Sequence, residues 1–210
     1  MESETMRIYL VRHGETESNR KGIFRGRLNI PLSQRGKAQA EDLKRYFENI
    51  PVEVVYTSPL QRVVETAETA FPALKPIKEP LIDNLDLGEW SGKDKKMVKE
   101  RFPQQWADWV KRPESITFPG GECLADVLKR SHLFLQKAIS HEAETIAAVS
   151  HRSVVKVILA AVIGLEKNYY WKFHLDNASV SQVYYEPERG LTVVKVNDTH
   201  HLQDTVMEWY

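Results

Sequence analysis

Short apolar runs rich in β-branched residues alternate with amphipathic stretches along this chain. "MRIYLV" (6–11), "VEVVYT" (52–57) and "ETIAAVS" (144–150) read as strands. "SQRGKAQAEDLKRYFENI" (33–50) places Ala40, Leu43, Phe47 and Ile50 at three-to-four spacing behind Ser33, a residue suited to an N-cap, and reads as a helix. "SPLQRVVETAETAF" (58–71) predicts a second helix, with Ser58 as cap, Pro59 at the first helical position, and Leu60, Val63, Val64, Ala67 and Phe71 as its buried stripe. "CLADVLKRSHLFLQKAIS" (123–140) and residues 152–163, closed by Gly164, predict two more. "SVSQVYYE" (179–186) and "LTVVKVN" (191–197) read as a terminal hairpin.

This order predicts an α/β fold, a three-layer α/β/α sandwich around a mostly parallel sheet. A length of 210 residues suits one domain spanning 1–210. Residues 72–121 break the pattern: they hold Pro72, Pro76, Pro80, Pro103, Pro113, Pro119, the pair Gly120-Gly121 and three of the five tryptophans. That composition predicts a cap insert, irregular apart from short helices near 94–100 and 102–111.

Lys+Arg and Asp+Glu both number 29, so no net charge draws in nucleic acid or an anionic membrane. The longest apolar stretch, "VVKVILAAVIG" from Val154, contains Lys156 and is too short to span a bilayer. One cysteine, Cys123, excludes an internal disulfide and fits a reducing compartment; with no signal-peptide pattern at the start, the expected location is the cytoplasm. His200-His201 near Asp198 lack a spaced ligand set, so no metal site and no cofactor are expected. His132 and His141 read as solvent-facing. Trp90, Trp106, Trp109 and Phe118 read as packing the cap onto the body, some of them walling a substrate.

In such sheets ligands bind beyond the carboxyl ends of the strands. Arg12 and His13 end the first strand, Ser58 to Arg62 follow the second, and Ser150-His151 end the third. Each piece alone has a plainer explanation: a surface turn, a capped helix start, a packed histidine. Together they put two arginines and two histidines on one rim, which points to an anion site. Guanidinium matches phosphate oxygens with a planar fork of donors. Arg62 also falls in a first helical turn, where unpaired N–H groups favour an anion. A neutral His13 can attack phosphorus through one ring nitrogen if the other donates to a backbone carbonyl, with Gly14 leaving room for the approach. A protonated His151 can hold an equatorial oxygen. Arginine and imidazolium supply the positive field, so the chemistry needs no metal.

"LVRHGETESNRKGIFRGRLNIPLSQRGKAQA", "VVYTSPLQRVVETAE", "LDLGEWSG", "FPGGECLADVLKR", "AAVSHRSVVKVIL", "LDNASVSQVYYE" and "VNDTHHL" resemble, in order and over nearly the whole chain, the blocks of the histidine phosphatase superfamily, in its phosphoglycerate-mutase-like branch. The resemblance implies a phosphoric monoester hydrolase with His13 as phosphorylated nucleophile and Arg12, Arg62 and His151 as its phosphate pocket. It implies that Asn19 and the loop around Gly26 line the pocket mouth. The short length resembles the small phosphatases of the family, among them those acting on phosphoserine and α-ribazole phosphate. Phosphoryl transfer of the phosphoglycerate mutase type is the alternative, and the resemblance leaves room for a homodimer or a hetero-oligomer.

The chain departs from the family in two places. Aligning "LDLGEWSG" puts Asn84 where the family carries the Glu that protonates the leaving oxygen. Asp83, its neighbour, is the expected substitute acid, and Asp86 is read as structural. Loss of the acid also fits an impaired or non-catalytic subunit, against which the retained Arg12, His13, Arg62 and His151 argue. Arg25 and Arg152 stand where smaller or neutral residues are frequent. Either they favour a substrate with a second anionic group, such as a carboxylate, or they point to solvent.

Overall fold

A computed structural model describes residues 5–203; the ends of the expected 1–210 domain lie outside the described residues. The elements run β1 (Met6–Arg12), α1 (Glu17–Arg20), α2 (Gln34–Phe47), β2 (Val54–Thr57), α3 (Gln61–Ala70), β3 (Ile77–Lys78), α4 (Lys95–Arg101), α5 (Pro103–Lys111), α6 (Leu124–Ile139), β4 (Thr145–Ser150), α7 (Arg152–Val162), β5 (Val180–Glu186) and β6 (Gly190–Asp198). The sheet order is β3-β2-β4-β1-β5-β6. β3, β2, β4 and β1 are parallel, and β5 and β6 join the β1 edge as an antiparallel hairpin.

Alternation along β1 explains the layering. Ile8 and Leu10 point to one face, into a core built with α6 and α7; Tyr9 and Val11 point to the other, into a core built with α2 and α3. All six residues of β4 are buried, as expected of a central strand covered on both faces. This is the α/β/α sandwich with a mostly parallel sheet that the sequence predicts.

Ser33 caps α2 as expected, accepting from the Gly36 N–H. The start of α3 differs from expectation. Its N-cap is Leu60, without a side-chain cap bond, and the helix begins at Gln61. The Ser58 hydroxyl accepts from the Leu60 N–H at 3.5 Å, ahead of the helix, and also contacts Asp83 and His151 at the rim. In the 72–121 segment, α4 and α5 lie close to their predicted places, with 3₁₀ turns between them and the flanking elements. Trp90 is fully buried there, edge-on to Phe118 at 5.0 Å and to Phe24 at 5.3 Å.

The registers place the functional rim. Arg12 is level with Ser150 across β1 and β4, and Thr57 with Val149 across β2 and β4. Because β5 is antiparallel, its beginning, not its end, meets this rim: Val180 is level with Val11.

Candidate active site

His13 follows β1 and is 2% exposed. Its Nδ1 lies 2.6 Å from the Gly14 carbonyl oxygen. A carbonyl only accepts, so Nδ1 carries the proton and Nε2 keeps its lone pair. The His13 carbonyl in turn accepts from the Ala178 N–H and the Asn177 side chain, which ties the loop to the start of β5. Burial, together with the nearby Arg62, Arg12 and Arg25 charges, holds the imidazole well below its ordinary pKa, so it is neutral at physiological pH.

Gly14 also has a steric role within the fold. A Cβ there would stand 2.5 Å from the Gly36 carbonyl oxygen, and a Cβ on Gly36 would stand 2.0 Å from the Glu15 carbonyl oxygen. Two glycines let the first turn of α2 press against the loop after β1.

Arg12 and Arg62 are both buried, at 1% and 0% exposure. Arg12 donates to the Leu175 carbonyl at 2.7 Å. Arg62, in the first turn of α3, donates to the carbonyls of Leu28 at 2.8 Å and Gly26 at 3.2 Å. Gly26, with φ of +50°, turns its carbonyl toward both Arg62 and the Asn84 amide. Burial pulls the Arg62 pKa down to about 10, while Asp83 partly offsets it.

His151 follows β4, its ring edge-on to His13 at 5.3 Å between centroids. The Arg62 guanidinium is 3.3 Å from His151 Nδ1. Arginine only donates, so Nδ1 accepts and the Nε2–H is directed to Ser58 Oγ at 2.8 Å. Ser58 in turn donates to Asp83 Oδ1 at 2.9 Å. Burial first, then Arg62 and His13, hold His151 neutral as well. The imidazolium expected from the sequence is therefore not the state of the free site; an anion must arrive to favour it.

Asp83, the substitute acid expected from the sequence, is hydrogen-bonded to Ser58 and stands 3.9 Å from His151 Nε2. It follows a 3₁₀ turn in extended backbone, with φ −67° and ψ 159°, so its side chain and that of Asn84 point opposite ways. Asp83 accepts from Ser58, whereas Asn84 lines the cavity and donates to the Gly26 carbonyl at 2.7 Å. Arg27 and Arg130 both donate to the Asn84 carbonyl at 3.1 Å, which holds this segment in place.

Above the rim lies a cavity of about 720 Å³ bordered by His13, His151, Asn19, Arg25, Gly26 and Arg152 among others. Arg25 and Arg152 thus face the cavity mouth and are not purely solvent-facing. Asn19 closes a capping box with Thr16 and is buried. Sequence reasoning missed Glu15, Asn177, Tyr170 and Trp171 as lining residues. A signal existed for Asn177: it precedes a strand whose antiparallel pairing brings its beginning to the rim. Among the described residues, no group of three or more His, Cys, Asp or Glu is placed to hold a metal ion, and no helix is long and apolar enough to cross a membrane. His200 pairs locally with Asp198 at 2.6 Å.

Chemically, the rim joins a neutral imidazole with a free Nε2 to two buried guanidinium groups and a second imidazole. That arrangement can receive a phosphoryl group. Comparison with known proteins agrees. The model of the histidine phosphatase superfamily (branch 1) matches residues 8–199. Phosphoserine phosphatase 1 of Hydrogenobacter thermophilus is 36% identical over 206 residues, 97% of each chain. Putative phosphoserine phosphatase 2 of the same organism is 30% identical over 93% of this chain and 97% of its own. Among solved structures, Bacillus stearothermophilus YhfR superposes with a TM-score of 0.88 at 28% identity, covering 93% of this chain and 98% of that one.

Proposed function

The chain belongs to branch 1 of the histidine phosphatase superfamily, a phosphoric monoester hydrolase by family, and on that premise we propose that it hydrolyses small-molecule phosphomonoesters through a phosphohistidine on His13, without a metal. The observation that carries this reading is the His13 Nδ1 contact with the Gly14 carbonyl, which leaves Nε2 unprotonated inside a ring of Arg12, Arg62 and His151. Arg12 and Arg62 hold the phosphoryl oxygens. His151 takes up a proton as the dianion binds and steadies charge developing on an equatorial oxygen. Water then attacks phosphorus and releases inorganic phosphate.

Arg25 and Arg152 at the cavity mouth support a substrate with a second anionic group. Phosphoserine is the first such ester to test, since the two curated relatives carry it in their names. Reaction with ³²P-labelled ester, quenched in mid-turnover, is expected to give an acid-labile adduct on His13, absent in His13→Ala, with turnover persisting in chelator. Turnover without label on that residue, or loss of turnover on metal removal, would falsify the scheme.

A further inference from the structure

We propose that the substrate is a monoester of an acidic, phenol-type hydroxyl on a flat aromatic body, and that small aliphatic phosphates are poor substrates. This rests on the hydrolase reading above but departs from phosphoserine as its substrate. Two independent features of the cavity lead to the same class.

The first is its wall. Phe24, Trp106, Trp109, Tyr170 and Trp171 all line the cavity, whose volume of about 720 Å³ falls in the range that encloses a drug-sized ligand. A phosphoryl group with three carbons fills a small part of it. The rings are fixed before any ligand arrives. Trp109 lies 4.9 Å from Tyr170 and 5.2 Å from Trp171, and the Trp171 indole N–H donates to the Trp109 carbonyl at 3.2 Å. Phe24 and Trp106 rest on buried Trp90 at 5.3 and 6.2 Å. A preorganised aromatic wall favours a flat, apolar partner, because little side-chain freedom is lost on binding.

The second feature is the supply of protons to the leaving oxygen. The carboxyl group among the lining residues is Glu15. It accepts from the Ser33 hydroxyl at 2.8 Å through one oxygen and pairs with Arg35 at 3.5 Å through the other. Asn84 offers an amide that does not exchange a proton, and Asp83, held by Ser58, is not among the residues that line the cavity. The Nε2–H of His151 is directed to Ser58. In the first step His13 Nε2 forms a bond to phosphorus, the phosphorus–oxygen ester bond breaks, and its electron pair departs on oxygen. No carboxylic acid among the lining residues other than Glu15 is there to protonate that oxygen, and a leaving phenolate tolerates this far better than an alkoxide. The phenolate takes its proton from solvent. Water then replaces the Nε2–P bond, giving neutral imidazole and dihydrogen phosphate.

The test is kcat/KM, which reports the phosphorylation step, across substituted phenyl phosphates, 1-naphthyl phosphate and phosphoserine. A steep fall with rising leaving-group pKa is expected, with 1-naphthyl phosphate at least about 10²-fold above phosphoserine, the lower end of what general acid catalysis contributes. Asn84→Glu should flatten that dependence and raise the ratio of phosphoserine to 4-nitrophenyl phosphate efficiency. Trp106→Leu should raise KM for 1-naphthyl phosphate about tenfold more than for phosphoserine. A flat dependence, or phosphoserine equal to or better than the aryl esters, overturns the proposal. If no ester is turned over, the hydrolase reading fails separately. The wall is then judged by titration: 1-naphthylphosphonate binding more tightly than the phosphonate analogue of phosphoserine supports the inference, and equal or weaker binding overturns it.

Discussion

Asp83 and His151 are joined through a single hydroxyl: the carboxylate oxygen stands 3.9 Å from His151 Nε2, and Ser58 Oγ bridges them with contacts of 2.9 and 2.8 Å. In the proposed mechanism, where His151 takes up a proton as phosphate binds, this bridge links the new charge to a carboxylate that is only 17% exposed in its side chain, which makes Asp83 a positioning residue in that scheme.

Removing either end of the bridge should therefore cost the same interaction. Asp83→Asn and Ser58→Ala are each expected to lower kcat/KM by roughly 10- to 100-fold, the factor corresponding to about 1.5–3 kcal/mol for a hydrogen bond to a charged group. The double variant should lose little more than either single one. Additive losses in the kinetic cycle would show that the two residues act separately. A loss confined to substrates with poor leaving groups would return Asp83 to the role of acid.

The same environment sets the pH profile. Burial and the arginines keep His13 neutral well below pH 6.5, so acidification from pH 7.5 to 6 does not protonate the nucleophile. After correction for the dianion fraction of the substrate, kcat/KM is expected to stay level across that interval. An acid limb near pH 6.5 that vanishes in a His13 variant would contradict this. At the other extreme, Arg62 titrates at about 10 in the free protein. Its cation is lost as pH rises through that value, so kcat/KM, which reports the free enzyme, should fall there.

Gly14 and Gly36 make a stability prediction that is independent of catalysis. A Cβ at Gly36 would lie 2.0 Å from the Glu15 carbonyl, and both partners of the clash are backbone. Gly36→Ala should destabilise the fold by at least the roughly 1–3 kcal/mol typical of overpacking, measured by urea unfolding. Gly22→Ala is the control, because a Cβ there meets nothing within 4 Å although its φ is +63°. A Gly36→Ala protein no less stable than Gly22→Ala would mean that the loop and α2 separate easily.

The rim was legible in the sequence because four of its residues sit where chain direction dictates. Arg12, His13 and His151 end parallel strands, and Arg62 opens a helix after another. The two-sided core follows from the alternation of apolar residues. What escaped was set by tertiary contact. Asp83 and Asn84 are adjacent, and only the extended backbone held by Arg27 and Arg130 shows which of them enters the cavity. Ser58 fits a helix cap by type, yet a carboxylate and an imidazole distant in sequence claim its hydroxyl. Tyr170 and Trp171 lie in a 3₁₀ turn too short for any periodicity to read, and packing against Trp109 is what brings them to the wall.

Beneath that wall, Lys156 in the middle of α7 is 1% exposed. Its ammonium lies over the rings of Tyr170 at 4.6 Å and Trp171 at 5.1 Å, which favours the charged form, but burial outweighs this and pulls the pKa down to about 6. Between pH 6 and the ordinary lysine value of 10.5, the unfolded chain therefore binds a proton that the folded chain does not. Stability must rise with pH across that window, and the cost is at its full extent below pH 6. Lys156→Met keeps the length of the side chain and removes the titration. It should stabilise the protein by about 1–4 kcal/mol at pH 7, as replacement of buried charge often does, with the advantage shrinking toward pH 10. Denaturant melts of both proteins at pH 7 and pH 9.5 measure this. An advantage that is equal at the two pH values would mean that the amine stays charged against its two rings throughout, and that the aromatic face of the cavity is held by a cation.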